Sequence, residues 1–171
     1  MKLSPLQRLD IAVRQSTPVV VTLLLTVISV VPVGLPASSV LAPDIVLIAV
    51  FYWTVHRPDL MKAWTVFVIG LLSDILSGTP LGVHPLVLVL VHTAIISQHK
   101  IFRGAAFGVV WWAFSLIAPA AHVVAAVIAF VSAGVVPELS VFILRLVLTI
   151  GLYPALAWLL GRAQRALLAA V

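Results

Sequence analysis

Six long apolar segments divide this chain, and its basic residues fall almost entirely in every other gap between them. The segments run roughly Thr17–Val33, Ser39–Val55, Pro58–Ser77, Leu81–Gln98, Gly104–Ala133 and Leu139–Gly161. Lys2, Arg8 and Arg14 precede the first, Arg57 and Lys62 flank the link between the second and third, Lys100 and Arg103 separate the fourth and fifth, and Arg162 and Arg165 follow the sixth. The remaining links, Gly34–Ser38, Gly78–Pro80 and Gly134–Glu138, contain no Lys or Arg. Positive charge is retained on the cytoplasmic side of a membrane, so this alternation predicts six crossings with both ends in the cytoplasm. Nine of the ten Lys and Arg residues thus fall on one side of this scheme, and the tenth, Arg145, lies within the sixth segment.

Composition forces the same choice of solvent. Only 9% of the residues are charged, 63% are hydrophobic, and the mean hydropathy is +1.26. A soluble domain carries about a quarter charged residues; a chain this poor in charge cannot solvate a globular surface and needs lipid around it. The net charge of +5 follows the sidedness of the loops. It forms no basic stripe interleaved with stacking aromatics, so no nucleic-acid partner is expected. Cysteine is absent, which removes disulfides, thiol nucleophiles and thiolate metal sites. The basic start followed by an apolar run loosely resembles a signal peptide, but the many apolar segments that follow favour a retained first crossing.

Segment lengths test the scheme. A spanning helix needs about 20 residues, within a range of about 17–25. The second and fourth segments are short and the fifth is long. Pro119 could divide the fifth, but an added crossing would move Arg162 and Arg165 outside, so one tilted or kinked helix is expected. Tyr52, Trp53, Trp64 and Trp158 fall near the expected inner interface, where amphipathic rings settle. The expectation is an all-α polytopic membrane protein of one transmembrane domain over residues 1–171, with no extramembrane domain.

Polar residues inside such a chain carry most of the information. Asp74 lies about one turn below the outer end of the third segment, and Arg145 about two turns below the outer end of the sixth. Charges at membrane depth are costly and seek partners, so Asp74 and Arg145 are expected to form an intramembrane ion pair, with Asp44 in reserve. Gly104 and Gly108, followed by Ala121, Ala125, Ala129 and Ala133, form a small-residue stripe expected to pack helices closely. His92 and His122 lie near mid-membrane, His84 near the outer surface, and His56 and His99 near the inner one. Their spacing matches no metal signature, so interhelical hydrogen bonding is their expected role, with no metal or cofactor. Neither a GxSxG elbow nor a phosphate loop occurs, and no acid, base and nucleophile converge at one depth, so no enzyme activity is expected.

Within Asp44–Gly82 the motifs become specific. Pro43-Asp44 is followed by Tyr52-Trp53, by Arg57-Pro58-Asp59, and then by Gly70-Leu71-Leu72-Ser73-Asp74-Ile75-Leu76-Ser77-Gly78-Thr79-Pro80-Leu81-Gly82. Pro58-Asp59 reads as a helix start, with Pro at the first position and a carboxylate at the positive dipole end. Gly78–Gly82 reads as a tight turn between two helices. This arrangement resembles the MreD family of rod-shape-determining membrane proteins, and size and hydropathy extend the likeness over essentially the whole chain. The resemblance implies a non-enzymatic subunit of the cell-elongation complex in a bacterial inner membrane. It would sit beside MreC, the actin-like MreB, and RodA with its transpeptidase partner, and support lateral peptidoglycan synthesis. It supplies no catalytic residues. The six-helix plan also resembles the substrate-binding components of energy-coupling-factor vitamin transporters, so a small-molecule binding or transport subunit is the rival reading. A closed, apolar-packed bundle would favour the scaffold over that rival.

Overall fold

The structure, a computed structural model, describes residues 18–29, 42–134 and 138–169. Those residues form seven helices and no strands. We label them α1 (Pro18–Ser29), α2 (Ile45–His56), α3 (Ala63–Ser77), α4 (Val83–Ser97), α5 (His99–Phe102), α6 (Phe107–Ala133) and α7 (Leu139–Ala169). The basic N-terminal segment and the Gly34–Ser38 link lie outside the described residues, as does most of the Gly134–Glu138 link.

The chain packs around α2. Ten of its 12 residues are buried, from Val46 through Val55. A helix that is apolar on every side suits either a buried core position or a membrane span, and here neighbouring helices enclose it. Here α4 and α7 flank α2, α6 bridges α4 and α7, and α3 lies along the far side of α4. Val21, Leu23 and Leu25 bring α1 against the same core. Aromatic rings lock the centre: Phe51 of α2 lies 5.0 Å from Phe114 of α6 and 5.7 Å from Tyr153 of α7, centroid to centroid. Phe114 and Tyr153 stack at 4.5 Å. Such offset and edge contacts add roughly 0.5–1.5 kcal/mol per pair beyond the area they bury.

Lipid accounts for what the outside carries. Trp112, Leu116, Val131 and Leu139 on α6 and α7 are each about 70% exposed or more. Large apolar side chains exposed along two whole helices mark contact with a nonaqueous phase. Both helices are long and apolar enough to cross a membrane, whereas α2, α3 and α4 have 12 to 15 residues each. Helix α6 is continuous through Pro119, as the charge argument requires. In α7, Pro154 has no N–H to give the Ile150 carbonyl, as the helical ladder would require. The indole Nε1–H of Trp111 on α6 takes that place at 3.3 Å, so the proline defect becomes a cross-helix bond.

Several expectations are corrected. The third helix starts at Ala63, not at Pro58-Asp59. Residues 58–60 form a turn closed by the Leu60 amide on the Arg57 carbonyl, and the fully buried Met61 draws the chain into the core before the helix begins. The unforeseen α5 fills the link after α4. Tyr52 and Trp53 are core residues, while Trp64 and Trp158 are exposed. Gly104 is not in a helix: it turns the chain with φ +78°, and Gly108 has nothing within 4 Å of where a Cβ would stand. Neither glycine brings two described helices together.

The close approach is instead at Gly70 on α3. A Cβ there would lie 2.5 Å from Pro85 Cα and 2.6 Å from Pro85 N on α4. Backbone meets backbone, so no side-chain rotation relieves the clash. We expect Gly70→Ala to lower stability by about 1–3 kcal/mol through overpacking, and Gly108→Ala to leave it unchanged. Thermal unfolding of the two purified variants checks this; equal melting temperatures would contradict it.

Candidate functional site

At one end of the bundle the turn between α3 and α4 wraps around the Asp74 carboxylate. Helix α3 ends where Gly78 adopts the left-handed conformation (φ 66°) and its amide returns to the Asp74 carbonyl. Gly82, also at positive φ (105°), redirects the chain into α4. That path aims four donors at a side chain with no exposed surface. Thr79 Oγ1 donates to Oδ1 at 2.8 Å, the Gly82 amide to Oδ2 at 2.7 Å, and the His84 amide to Oδ1 at 3.2 Å. The His84 ring Nδ1 lies 2.6 Å from Oδ1. A carboxylate accepts only, so Nδ1 carries the proton. Burying a carboxylate is costly unless its lone pairs are satisfied, and these bonds satisfy them from a stretch of only ten residues.

The expected ion pair is therefore replaced. Asp74 is bonded to its own hairpin and not to Arg145. Reaching across to α7 would mean giving up donors that the turn already supplies. Arg145 faces a different neighbourhood, and its Nε has no hydrogen-bond partner. Asp44, the reserve partner, caps α2 by accepting from the Leu47 amide at 3.0 Å, and its own amide donates to Thr149 Oγ1 of α7 at 2.9 Å. Thr149 stands one turn beyond Arg145 and returns its hydroxyl to the Arg145 carbonyl. Asp44 and Arg145 thus line the same space without a direct ion pair among the described residues.

That space is a cavity of about 440 Å³ between α4, α6 and α7, beside the start of α2. Its polar contributors are Asp44, Thr79, His84, His122, Glu138 and Arg145. Val87, Ala125, Val141 and Phe142 supply part of an otherwise apolar wall. The alanine stripe of α6 thus serves to leave room, since Ala121, Ala125 and Ala129 all line the cavity. His122 is buried; its Nδ1 lies 2.8 Å from the Ala118 carbonyl of its own helix, and its Nε2 has no partner. His92 behaves as expected of an interhelical tie, with Nδ1 3.1 Å from Thr54 Oγ1 of α2. The bundle is closed and aromatic at mid-height but open at this end, so it is not the sealed apolar bundle that would favour a scaffold outright.

At the other end a second cavity, of about 480 Å³, is lined by Tyr52, His56, Tyr153, Trp158 and Arg165 among others. The Arg162 guanidinium stands 5.5 Å from the Trp158 ring centroid, a cation–π distance. No group of three or more His, Asp or Glu among the described residues is placed to hold a metal ion. Sequence reasoning missed the hairpin knot and Gly70, although both lie inside the motif it singled out; the two glycines at fixed distance from Asp74 were the available signal.

The family model of the rod shape-determining protein MreD matches residues 11–162. No solved structure matches the chain.

The separation of Asp74 from Arg145 has a direct consequence. Asp74→Ala combined with His84→Ala should show a coupling of about 0.5–3 kcal/mol, as groups in one network do, whereas Asp74→Ala with Arg145→Leu should add within about 0.3–0.5 kcal/mol. Double-mutant cycles on unfolding free energy measure both; strong coupling to Arg145 would restore the ion pair.

Proposed function

Because this chain belongs to the MreD family of rod shape-determining membrane proteins, we propose that it is a non-enzymatic, multi-pass subunit of the cell-elongation complex in the bacterial inner membrane. It acts by associating with MreC and so supports lateral peptidoglycan synthesis beside MreB, RodA and the transpeptidase partner of RodA. The family match, which spans nearly the whole chain, is the observation that carries this reading. The exposed apolar faces of α6 and α7 supply surface for lipid and for membrane-embedded partners. In lipid such association proceeds by close packing and by interhelical hydrogen bonds.

The proposed arrangement has six crossings, both termini in the cytoplasm, and a single transmembrane domain. Three features support it: the basic residues in alternate links, the long helices α6 and α7, and the uncharged turn at Gly78–Gly82. The short helices α2, α3 and α4 fit by local thinning of the bilayer and by burial against their longer neighbours. The cavity beside Asp44 keeps small-molecule binding in view as a second property of this subunit.

Two measurements test the proposal. Co-purification from detergent extracts of cells expressing both proteins should recover MreC with this chain. Failure to recover MreC whose expression is confirmed would contradict it. Reporter fusions at Ser38, Thr79 and Val136 should read periplasmic, and fusions at Lys100 and the C-terminus cytoplasmic. A periplasmic C-terminus would overturn the crossing scheme.

A further inference from the structure

The cavity between α4, α6 and α7 presents unsatisfied groups of two opposite kinds. Arg145 contributes a donor, since its Nε has no hydrogen-bond partner and guanidinium accepts nothing. The carboxylates of Asp44 and Glu138 are acceptors. His122 Nδ1 faces a carbonyl, which only accepts, so Nδ1 carries a proton, and the buried Nε2 has no hydrogen-bond partner. Asp44 has one oxygen engaged by the Leu47 amide and no ion-pair partner among the described residues. Glu138, at the exposed start of α7, accepts from Ser140 through one oxygen at 2.7 Å. His84 is already committed to Asp74 through Nδ1.

The occupant that satisfies this set has one anionic acceptor and several donors. A simple anion would meet Arg145 but also two carboxylates, and a simple cation would meet the carboxylates but also Arg145. The wall adds a further requirement. From Ala121 to Ala129 the cavity follows α6 for about 12 Å, faced by Val87 and Leu88 of α4 and Phe142 of α7. Ligand sites characteristically combine such an apolar wall with a few convergent polar groups.

We propose that this cavity binds a zwitterionic amphiphile of the phosphoethanolamine type. Its phosphate lies against Arg145, its ammonium donates to Asp44 and Glu138, and its apolar part follows the alanine face of α6. The same chemistry is available as a membrane lipid headgroup or as a free zwitterion. Lipid retention is read on this chain alone, so its outcome is distinguishable from that of MreC co-purification.

Native mass spectrometry of the full chain in detergent tests it, with dioleoyl phosphatidylethanolamine, dioleoyl phosphatidylglycerol and free O-phosphoethanolamine as probes. The ethanolamine lipid should be retained about tenfold more than the glycerol lipid. Glu138→Gln and Arg145→Gln should each reduce that retention about tenfold, as expected for losing a charge-assisted bond. Glu138 is exposed, so its substitution leaves folding intact, and Ala125→Phe should abolish retention by filling the space. Arg165→Gln at the opposite end should change nothing. Displacement of the lipid by O-phosphoethanolamine would identify the headgroup alone as the ligand; retention against it would identify the lipid. Equal retention of the two lipids, no adduct with any probe, or an equal loss in Arg165→Gln would overturn the proposal.

Discussion

A buried carboxylate with no water to turn to must be satisfied by whatever lies nearest, and the bonds around Asp74 set the geometry from which the rest of the bundle follows. Four donors from Thr79, Gly82 and His84 close on it at 2.6–3.2 Å. The same short segment is pressed against Gly70, whose missing side chain lets the backbone of His84 and Pro85 come into contact with α3. One interaction is electrostatic and the other steric, yet both fix how α3 meets α4. Removing a partner from such a network leaves a buried charge uncompensated, which costs more than the intact pair contributes.

With α3 held to α4, the other helices arrange themselves around α2. Burial alone does not drive helices together in lipid, because the solvent is as apolar as the core. Close packing and directed bonds must do so. The described bundle uses few such bonds, and several answer a specific need. Trp111 bonds the Ile150 carbonyl that Pro154 leaves free, and Thr149 accepts the amide of Asp44 at the start of α2. Thr54 meets His92 across α2 and α4. Because α2 begins level with Thr149 while α7 begins at Leu139, α2 stops short of the end of α7 on this side of the bundle. The cavity beside Asp44 and Arg145 opens where α2 stops. A short, wholly enclosed central helix thus has a functional consequence: it leaves polar side chains facing a space rather than one another.

Much of this was legible in the residues. The continuity of α6 through Pro119 followed from counting positive charges, and the Gly78–Gly82 turn followed from glycine and proline spacing. That Asp74 would be buried and bonded was readable from its place in an apolar run. Its partner was not, because three of its four bonds come from backbone amides or from a residue that looks unremarkable in sequence, and the geometry of a turn is invisible until the turn is built. A cation such as Arg145 draws attention as a partner, whereas Gly82 N–H does not. The same blindness explains the glycines. Gly104 and Gly108 have the spacing of a packing motif but one turns the chain and the other faces open space; Gly70, alone in its helix, makes the close contact. Pro58-Asp59 has the chemistry of a helix start, but the burial of Met61 overrides it. The family resemblance was legible from the motifs of the same region, and the family model matches residues 11–162.

The central claim is that a carboxylate buried in the α3–α4 turn organises this end of the molecule. Amide hydrogen exchange at Gly82 and His84 in the full chain reconstituted in lipid nanodiscs tests it most directly. Both amides donate to Asp74 and neither is held by the regular helical ladder at that point. Exchange at both should be slow, comparable with the interior of α4, and should become fast in Asp74→Ala while the middle of α2 stays protected. Fast exchange at Gly82 and His84 in the unaltered protein, or slow exchange that survives Asp74→Ala, would contradict the account.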